Sequence, residues 1–185
     1  MNKIDIQQQR IQLINDLRTD SATSQKKGIH FMLASIPIWI GISLIQLLSL
    51  PAMTQNLMVF CIATPLVPIA YLISKPLGIK FSDKSNPLNG LGLLFTCNQI
   101  LYILIAMWAY GQASYYFLMI YAMIFGAHLL PFSWLYQSRI YKISAIVVSI
   151  TCLILGSLFG PLAVAFFMLT HQVIFCFLLW REIKP

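Results

Sequence analysis

The charged residues of this chain are confined to a few short clusters. All twelve Lys and Arg residues lie within residues 3–27, 75–84, 139–142 and 181–184. Between these clusters are three windows without a charged side chain: residues 28–74, 85–138 and 143–180. A helix needs about 20 residues to cross a hydrocarbon core of about 30 Å, so each window has room for two crossings and a turn. The sequence therefore predicts an all-α polytopic membrane protein with six transmembrane helices, arranged as three hairpins.

The same pattern predicts an orientation. If every window is a hairpin, all four charged clusters lie on one side of the membrane. An excess of Lys and Arg marks the cytoplasmic side, and the net charge of this chain is +7. We therefore expect both termini in the cytoplasm. Labels at Met53 and Gln112 should report the outer face, and labels at Ser82 and Ser138 the inner face.

Composition agrees with an integral membrane protein. The chain is 59% hydrophobic and 9% charged, whereas soluble proteins are about 25% charged. Because the positive charge is dispersed over the clusters, it indicates topology signals facing anionic lipid, and we expect no nucleic-acid partner. A disulfide framework or a metal site is not expected, since the cysteines form no CxxC pair and all lie in the apolar windows: Cys61, Cys97, Cys152 and Cys176.

The sequence divides into two parts. Residues 1–27 predict a cytoplasmic amphipathic helix, up to about residue 19, followed by a polar linker; the helix either lies on the inner membrane surface or packs under the bundle. Residues 28–185 form the six-helix transmembrane domain, and the apolar run from Ile29 is expected to be a retained crossing rather than a signal peptide. The crossings are predicted at about 29–50, 57–74, 91–110, 115–136, 143–156 and 162–180.

A sequence motif lies in and after the fourth predicted crossing. It runs Gly126-Ala127-His128-Leu129-Leu130-Pro131-Phe132-Ser133-Trp134-Leu135-Tyr136, with Asn86-Pro87-Leu88 upstream. The chain resembles, on this motif, an uncharacterised family of small bacterial multi-pass membrane proteins, from about Lys27 to the end. The resemblance implies a multi-pass protein of a bacterial cytoplasmic membrane, and it implies no activity, substrate or catalytic residue.

The charge-free windows exclude several classes of enzyme. They contain no HExxH motif for an intramembrane metalloprotease, no acidic pair for aspartyl proteolysis and no carboxylate relay of the kind found in proton pumps. We therefore predict no catalytic residue, and the pattern favours a non-enzymatic role.

A layer of polar residues is predicted near the middle of the membrane. Asn98, His128 and His171 each lie roughly 12 to 14 Å above the inner end of their crossings. Gln99, Gln172 and Trp39 lie close to the same level, as do the predicted helix breaks at Pro37, Pro65, Pro68 and Pro131. These residues could form a ligand-binding site, since broken helices at membrane depth often line transporter sites. Alternatively, the polar side chains hydrogen-bond between helices and only stabilise packing.

Three functions remain open. The first is a small permease or channel-like protein with a polar midplane site, in which His128→Ala or Asn98→Ala abolishes activity. The second is a non-catalytic subunit or regulator that docks a partner through its cytoplasmic face, formed by the N-terminal helix and residues 75–90. The third, which the sequence disfavours, is a redox protein with haem held by His128 and His171; otherwise no cofactor is expected.

Small residues recur at a spacing that permits close helix approach. The two patterns are Ala122-x3-Gly126 and Gly156-x3-Gly160. We expect them to serve packing inside the six-helix bundle, with a homo-oligomer through either face as the alternative.

Overall fold

The structure is a computed structural model that describes residues 3–80, 83 and 85–183, and within these residues it is helical without any strand. The described α-helices are α1 (Lys3–Ser24), α2 (Ile29–Gln46), α3 (Ala52–Ala63), α4 (Leu66–Ser74), α5 (Pro87–Gln112), α6 (Phe117–Leu135), α7 (Arg139–Leu158) and α8 (Pro161–Ile183). Short 3-10 turns cover Lys26–Gly28 and Ser114–Tyr116.

Six segments of the described chain are long and apolar enough to cross a membrane: Lys26–Gln46, Ala52–Ser74, Pro87–Gln112, Ser114–Leu135, Arg139–Leu158 and Pro161–Ile183. The predicted fold class and number of crossings are therefore confirmed at the level of helix length and composition.

Several helix ends differ from the prediction. The predicted crossing 29–50 ends as α2 at Gln46, and the predicted crossing 57–74 begins as α3 at Ala52, so residues 51–56 are not the turn. Pro51 directly precedes α3, a place where the missing proline N–H is not needed by the helix. The predicted crossing 143–156 is likewise longer, as α7 (Arg139–Leu158). The charge-free windows mark the apolar stretches, but they do not fix where one helix ends and the next begins inside a window, and α7 continues past its window to Arg139.

The predicted linker after α1 is mostly helical. Helix α1 continues to Ser24, so only a short turn separates it from α2, whereas a linker was expected from residue 20. Gly28 adopts φ +69° at that turn, and any Cβ there would lie 3.2 Å from the Tyr136 ring. The reason for the longer helix is tertiary contact, because Ser21 and Ala22 are buried against the bundle.

Arg18 fixes α1 to the C-terminus of α6. Its Nε and Nη2 atoms donate to the Trp134 carbonyl at 2.8 and 2.6 Å, and its guanidinium lies 4.5 Å from the Trp134 ring centroid. The last carbonyls of a helix lack partners inside the helix and carry partial negative charge, so a cation is favourable there. The C-terminal part of α1 thus packs on the bundle, one of the two positions predicted for it.

Asn86 joins α1 to α5. Its Oδ1 accepts from the Leu88 N–H at 2.8 Å, while its Nδ2 donates to the Leu17 carbonyl and to Asp20 Oδ2, both at 2.7 Å. Asn at the N-cap followed by Pro87 is a favourable helix start. This explains why α5 begins a turn earlier than the predicted residue 91.

The charged clusters meet at one end of the bundle. Glu182 accepts from Ser138 Oγ at 2.6 Å and pairs with Lys27 Nζ at 3.4 Å, and Tyr141 OH donates to the Lys27 carbonyl at 2.7 Å. The cluster at residues 75–84 is joined through Gln25 Nε2, which donates to the Lys80 carbonyl at 3.2 Å. We call this region the charged end.

Helices α6 and α7 pack closely because glycines lie between them. A Cβ on Gly126 would lie 2.8 Å from Ser149 Oγ and from Val148 Cγ1, and one on Gly156 would lie 2.5 Å from Met119 Cβ. Both small-residue patterns therefore contribute to contacts inside the bundle, as expected. Gly160 differs, since its φ of +81° places it in the turn between α7 and α8.

The core and the surface are both apolar. Ile42 of α2, Leu129 of α6, Val148 of α7 and Met168 of α8 are fully buried. Helix α5 lies at the periphery and buries Ala106 and Ala109, while large side chains along it are exposed, as expected for a helix that faces lipid: Leu94, Leu101, Leu104, Ile105 and Trp108.

Candidate functional site

The second membrane segment is broken at its centre. Helix α3 ends at Ala63 and α4 begins at Leu66, with Pro65 at the junction. Pro65 has no N–H to donate to the Cys61 carbonyl one turn back, so the ladder stops there. The Phe60 carbonyl before the break accepts from both the N–H and the Oγ1 of Thr64, at 3.2 and 2.8 Å. The break predicted at Pro65 is therefore present.

The other three prolines that were predicted to break a helix do not do so. Pro68 lies in the first turn of α4, where its missing N–H costs no helical hydrogen bond. Pro37 and Pro131 lie inside the continuous helices α2 and α6, so the breaks predicted there are not seen. One lost hydrogen bond is tolerated in a packed membrane helix, because neighbouring helices hold it in place.

A small cavity lies beside the break. Its volume is about 20 Å³, which is enough for about one water molecule. Four segments contribute its walls: α2, the α3–α4 junction, α5 and α6. The lining residues are Ser35, Ile38, Trp39, Ala63, Leu66, Gln99, Tyr121 and Phe125.

The polar groups of the cavity are all neutral. They are the Ser35 and Tyr121 hydroxyls, the Gln99 carboxamide and the Trp39 indole, and no charged side chain is among the described lining residues. Trp39 is 2% exposed and packs edge-on against Phe125, with ring centroids 6.0 Å apart. Ser35 Oγ donates to the Met32 carbonyl at 2.8 Å. The arrangement can hydrogen-bond a neutral group and offers no counter-ion for a charged one.

Of the residues predicted to form the midplane site, Trp39 and Gln99 come together in this cavity. Asn98, the neighbour of Gln99, does not line it, and its Nδ2 donates to Tyr102 OH one turn along α5 at 2.9 Å. His128 is 9% exposed and lies beside Phe132 of the same helix, with ring centroids 5.2 Å apart.

His171 and Gln172 connect α8 to two other helices. His171 Nε2 lies 3.2 Å from Ser144 Oγ of α7, and its ring stacks on Phe175 at 5.9 Å. Gln172 is fully buried, and its Nε2 donates to the Met32 carbonyl of α2 at 3.0 Å. These contacts fit side chains that hold helices together.

Neither histidine of the predicted pair, His128 and His171, lines the cavity beside the break. Within the described residues no group of three or more His, Cys, Asp or Glu side chains could hold a metal ion. The expectation that the chain carries no cofactor, and its haem alternative, stay predictions.

Comparison with known proteins gives one match. Residues 14–182 match the model of DUF7010, a family of unknown function. The chain belongs to this family. No curated protein and no solved structure matches it.

The DUF7010 match extends the resemblance seen in the sequence. It begins at residue 14 rather than at about residue 27, so it includes the part of α1 that carries Arg18 and packs on α6. It also includes the cavity beside Pro65 and every lining residue. The charged end and the cavity are thus both in the region shared with the DUF7010 family.

Two of the polar lining residues were not predicted from the sequence. Ser35 and Tyr121 lie in apolar stretches, and nothing in their spacing separates them from packing residues. A weak signal is present, because Ser35 stands two residues before Pro37 and Tyr121 is a hydroxyl at membrane depth, where polar groups need partners.

Residues 75–90, the loop at the charged end, are the part of the predicted partner-docking surface that lies outside α1. The Ser85 N–H donates to Asp83 Oδ1 at 2.9 Å, which lowers the pKa of that carboxyl and keeps it ionised. Phe81, Ser82 and Lys84 lie outside the described residues, so the loop as a partner surface, and Ser82 as a labelling position, stay predictions.

Proposed function

We propose that this protein is a small permease that binds a neutral solute in the cavity beside the α3–α4 break. The observation that carries the proposal is the meeting of Gln99, Trp39 and Tyr121 at the one broken crossing in the described chain. Discontinuous helices near the bilayer centre are a recurrent feature of transporter sites.

The cavity is too small to hold a solute molecule in this conformation. A volume of about 20 Å³ is far below the range of about 300–1,000 Å³ usual for small-molecule sites. Transport therefore requires the cavity to widen. The α3–α4 break is where this can happen at low cost, because Pro65 has already removed a backbone hydrogen bond.

We further propose that the charged end faces the cytoplasm. The Lys and Arg clusters meet there, and positive residues concentrate on the cytoplasmic side of membrane proteins. This places the turn after α2 and the turn after α5 outside. Ser138 is 2% exposed and bonded to Glu182, so Thr23, which is exposed, is a better inner labelling position.

Cysteine accessibility tests the permease without knowledge of the solute. Ser35→Cys is made after the four native cysteines are replaced by Ala, and a membrane-impermeant methanethiosulfonate is applied to either face of the membrane. Ser43→Cys is the matched control, because Ser43 lies on the same helix and is 4% exposed against α8, where its hydroxyl bonds the Ala165 carbonyl.

We expect Ser35→Cys to be modified from both faces, at least about tenfold faster than Ser43→Cys, a ratio that corresponds to about 1.4 kcal/mol. Reaction from one face alone would indicate a dead-end pocket. Reaction no faster than that of the control from either face would refute the permease.

A second candidate function rests on the N-terminal part of α1. Three apolar side chains there share one face of the helix and are exposed by about half: Ile4 62%, Ile11 53% and Ile14 46%. Such a surface fits a partner helix or protein, as proposed for a regulatory subunit. Deleting residues 1–20 would also remove Arg18 and the Leu17 carbonyl that bind the bundle.

Deletion of residues 1–13 is therefore the sharper test of partner docking. We expect a copurifying protein to be lost while the melting temperature of the bundle is kept. Retention of that protein on the truncated chain would rule out docking through this surface.

A further inference from the structure

A second, larger cavity opens on the side of the bundle between α3 and α5. Its volume is about 340 Å³, and it is lined by Leu57 and Phe60 of α3 and by Ile103, Met107 and Tyr110 of α5. Leu57 and Met107 are more than half exposed. Because both helices are among the membrane-spanning segments, this lateral cleft faces lipid rather than water.

The lateral cleft leads towards the cavity beside the break. On α3, Phe60 lines the cleft and Ala63, three residues on, lines the cavity. On α5, Ile103 lines the cleft and Gln99, four residues back, lines the cavity. Residues three or four apart share one face of a helix, so the two spaces are consecutive along the same pair of helices, about one turn or 5.4 Å apart.

Aromatic rings separate the two spaces. The Phe60 ring lies 5.0 Å from that of Phe117, which is fully buried, and the Phe117 ring stacks on Tyr121 at 6.0 Å. Phe60 belongs to the cleft and Tyr121 to the cavity, so Phe117 is the partition between them.

Helix α3 is held in place at its N-terminal end. Asn56 is 4% exposed, and its Nδ2 donates to the Ser114 carbonyl in the turn before α6 at 2.8 Å. Helix α3 is thus held at its outer end and broken at its inner end. The cleft itself opens to the side, between α3 and α5.

We infer that the solute is a neutral amphiphile, which enters from the lipid with its alkyl chain in the lateral cleft and its single polar group in the cavity at Gln99. The cleft volume is within the range usual for small ligands, whereas the cavity has room for one small polar group. A charged head would be excluded, because the described lining contains no charged partner for it. This inference rests on the proposed function and names its substrate class.

Photolabelling in lipid nanodiscs tests the inference. The probe is a 12-carbon primary alcohol with a diazirine near the end of its chain, and the competitors are 1-dodecanol, dodecane and dodecanoate at equal mole fractions in the lipid. We expect labelled peptides from α3 and α5 around Phe60 and Met107. 1-Dodecanol should compete at least about tenfold better than either other compound, a ratio that corresponds to about 1.4 kcal/mol.

The matched variants are Gln99→Leu and Asn98→Leu, which remove neighbouring carboxamides of one helix. Gln99→Leu should abolish the advantage of 1-dodecanol over dodecane, and Asn98→Leu should keep it, because Asn98 bonds to Tyr102 instead. The competition in the unaltered protein is decisive even if a variant fails to fold.

Equal competition by all three compounds would show ordinary contact with lipid chains and overturn the inference. A crosslink between two copies of the chain at the cleft would also overturn it, since a second copy would then be the occupant. If 1-dodecanol competes selectively but Ser35→Cys is not modified, the amphiphile-binding site is supported and the transport function is rejected. If Ser35→Cys is modified from both faces but competition is not selective, the transport function is supported and a neutral amphiphile is rejected as the solute.

Discussion

The rings of Phe60 and Phe117 meet edge to face with centroids 5.0 Å apart, and this contact separates the lateral cleft from the cavity at the helix break. Aromatic pairs of this geometry contribute about 0.5–1.5 kcal/mol beyond the area they bury. Because 1.4 kcal/mol is a factor of ten in an equilibrium, loss of the contact is enough to shift a closed cavity measurably towards an open one.

Phe60→Ala should therefore open the partition. We expect the modification rate of Ser35→Cys to rise by about fivefold in this background, from the loss of about 1 kcal/mol of aromatic contact. Phe95→Ala is the control, since Phe95 makes a similar edge-to-face contact with Phe132 at 5.7 Å and does not line the cleft. An equal rise in both variants would indicate general loosening of the bundle.

The histidine and glutamine of α8 should be dispensable for binding. His171→Phe keeps a ring beside Phe175, and Gln172→Leu removes the bond to the Met32 carbonyl, each at a cost of about 0.6–2 kcal/mol. We expect both variants to melt at lower temperature while the competition by 1-dodecanol changes less than about twofold. Loss of selective competition in either variant would show that α8 takes part in ligand binding.

The sequence predicts how deep a residue lies in the membrane far better than it predicts which way its side chain points around the helix. Asn98 and Gln99 are consecutive, so both were expected at the same level, yet a step of about 100° turns Gln99 into the cavity and Asn98 towards Tyr102. Six crossings and the break at Pro65 follow from charge and proline chemistry. The partners of His171 and Gln172 depend on which helices become neighbours, and that requires the tertiary arrangement.

Arg18 should matter more than the other arginine of α1. Arg18→Ala removes a charge-assisted bond to the Trp134 carbonyl and a cation–π contact, which together contribute about 2–3 kcal/mol. We expect faster amide hydrogen exchange across the C-terminal part of α1. Arg10→Ala, an exposed position with the same charge, should leave exchange unchanged. Equal protection in the two variants would show that Arg18 does not hold the helix.

The α6–α7 contact should tolerate no side chain at its glycines. Gly126→Ala places a methyl group 2.8 Å from Val148 Cγ1 and 3.0 Å from the Ser149 nitrogen, and such overpacking costs about 1–3 kcal/mol. Gly90→Ala is the control, because a Cβ there meets nothing within 4 Å and should stabilise α5 by about 0.5–1 kcal/mol. Thermal unfolding in detergent would show the two shifts in opposite directions, and a stable Gly126→Ala protein would disprove the close packing.

Fluorescence of Trp39 reports on occupancy of the cavity, because this indole lies in the wall of the cavity and is 2% exposed. Trp108, Trp134 and Trp180 are replaced by Phe, and the remaining emission is followed during titration with 1-dodecanol in nanodiscs. We expect a saturable change in Trp39 emission that Gln99→Leu abolishes and Asn98→Leu retains. No saturable change, or the same change in Gln99→Leu, would contradict a neutral amphiphile bound beside the helix break.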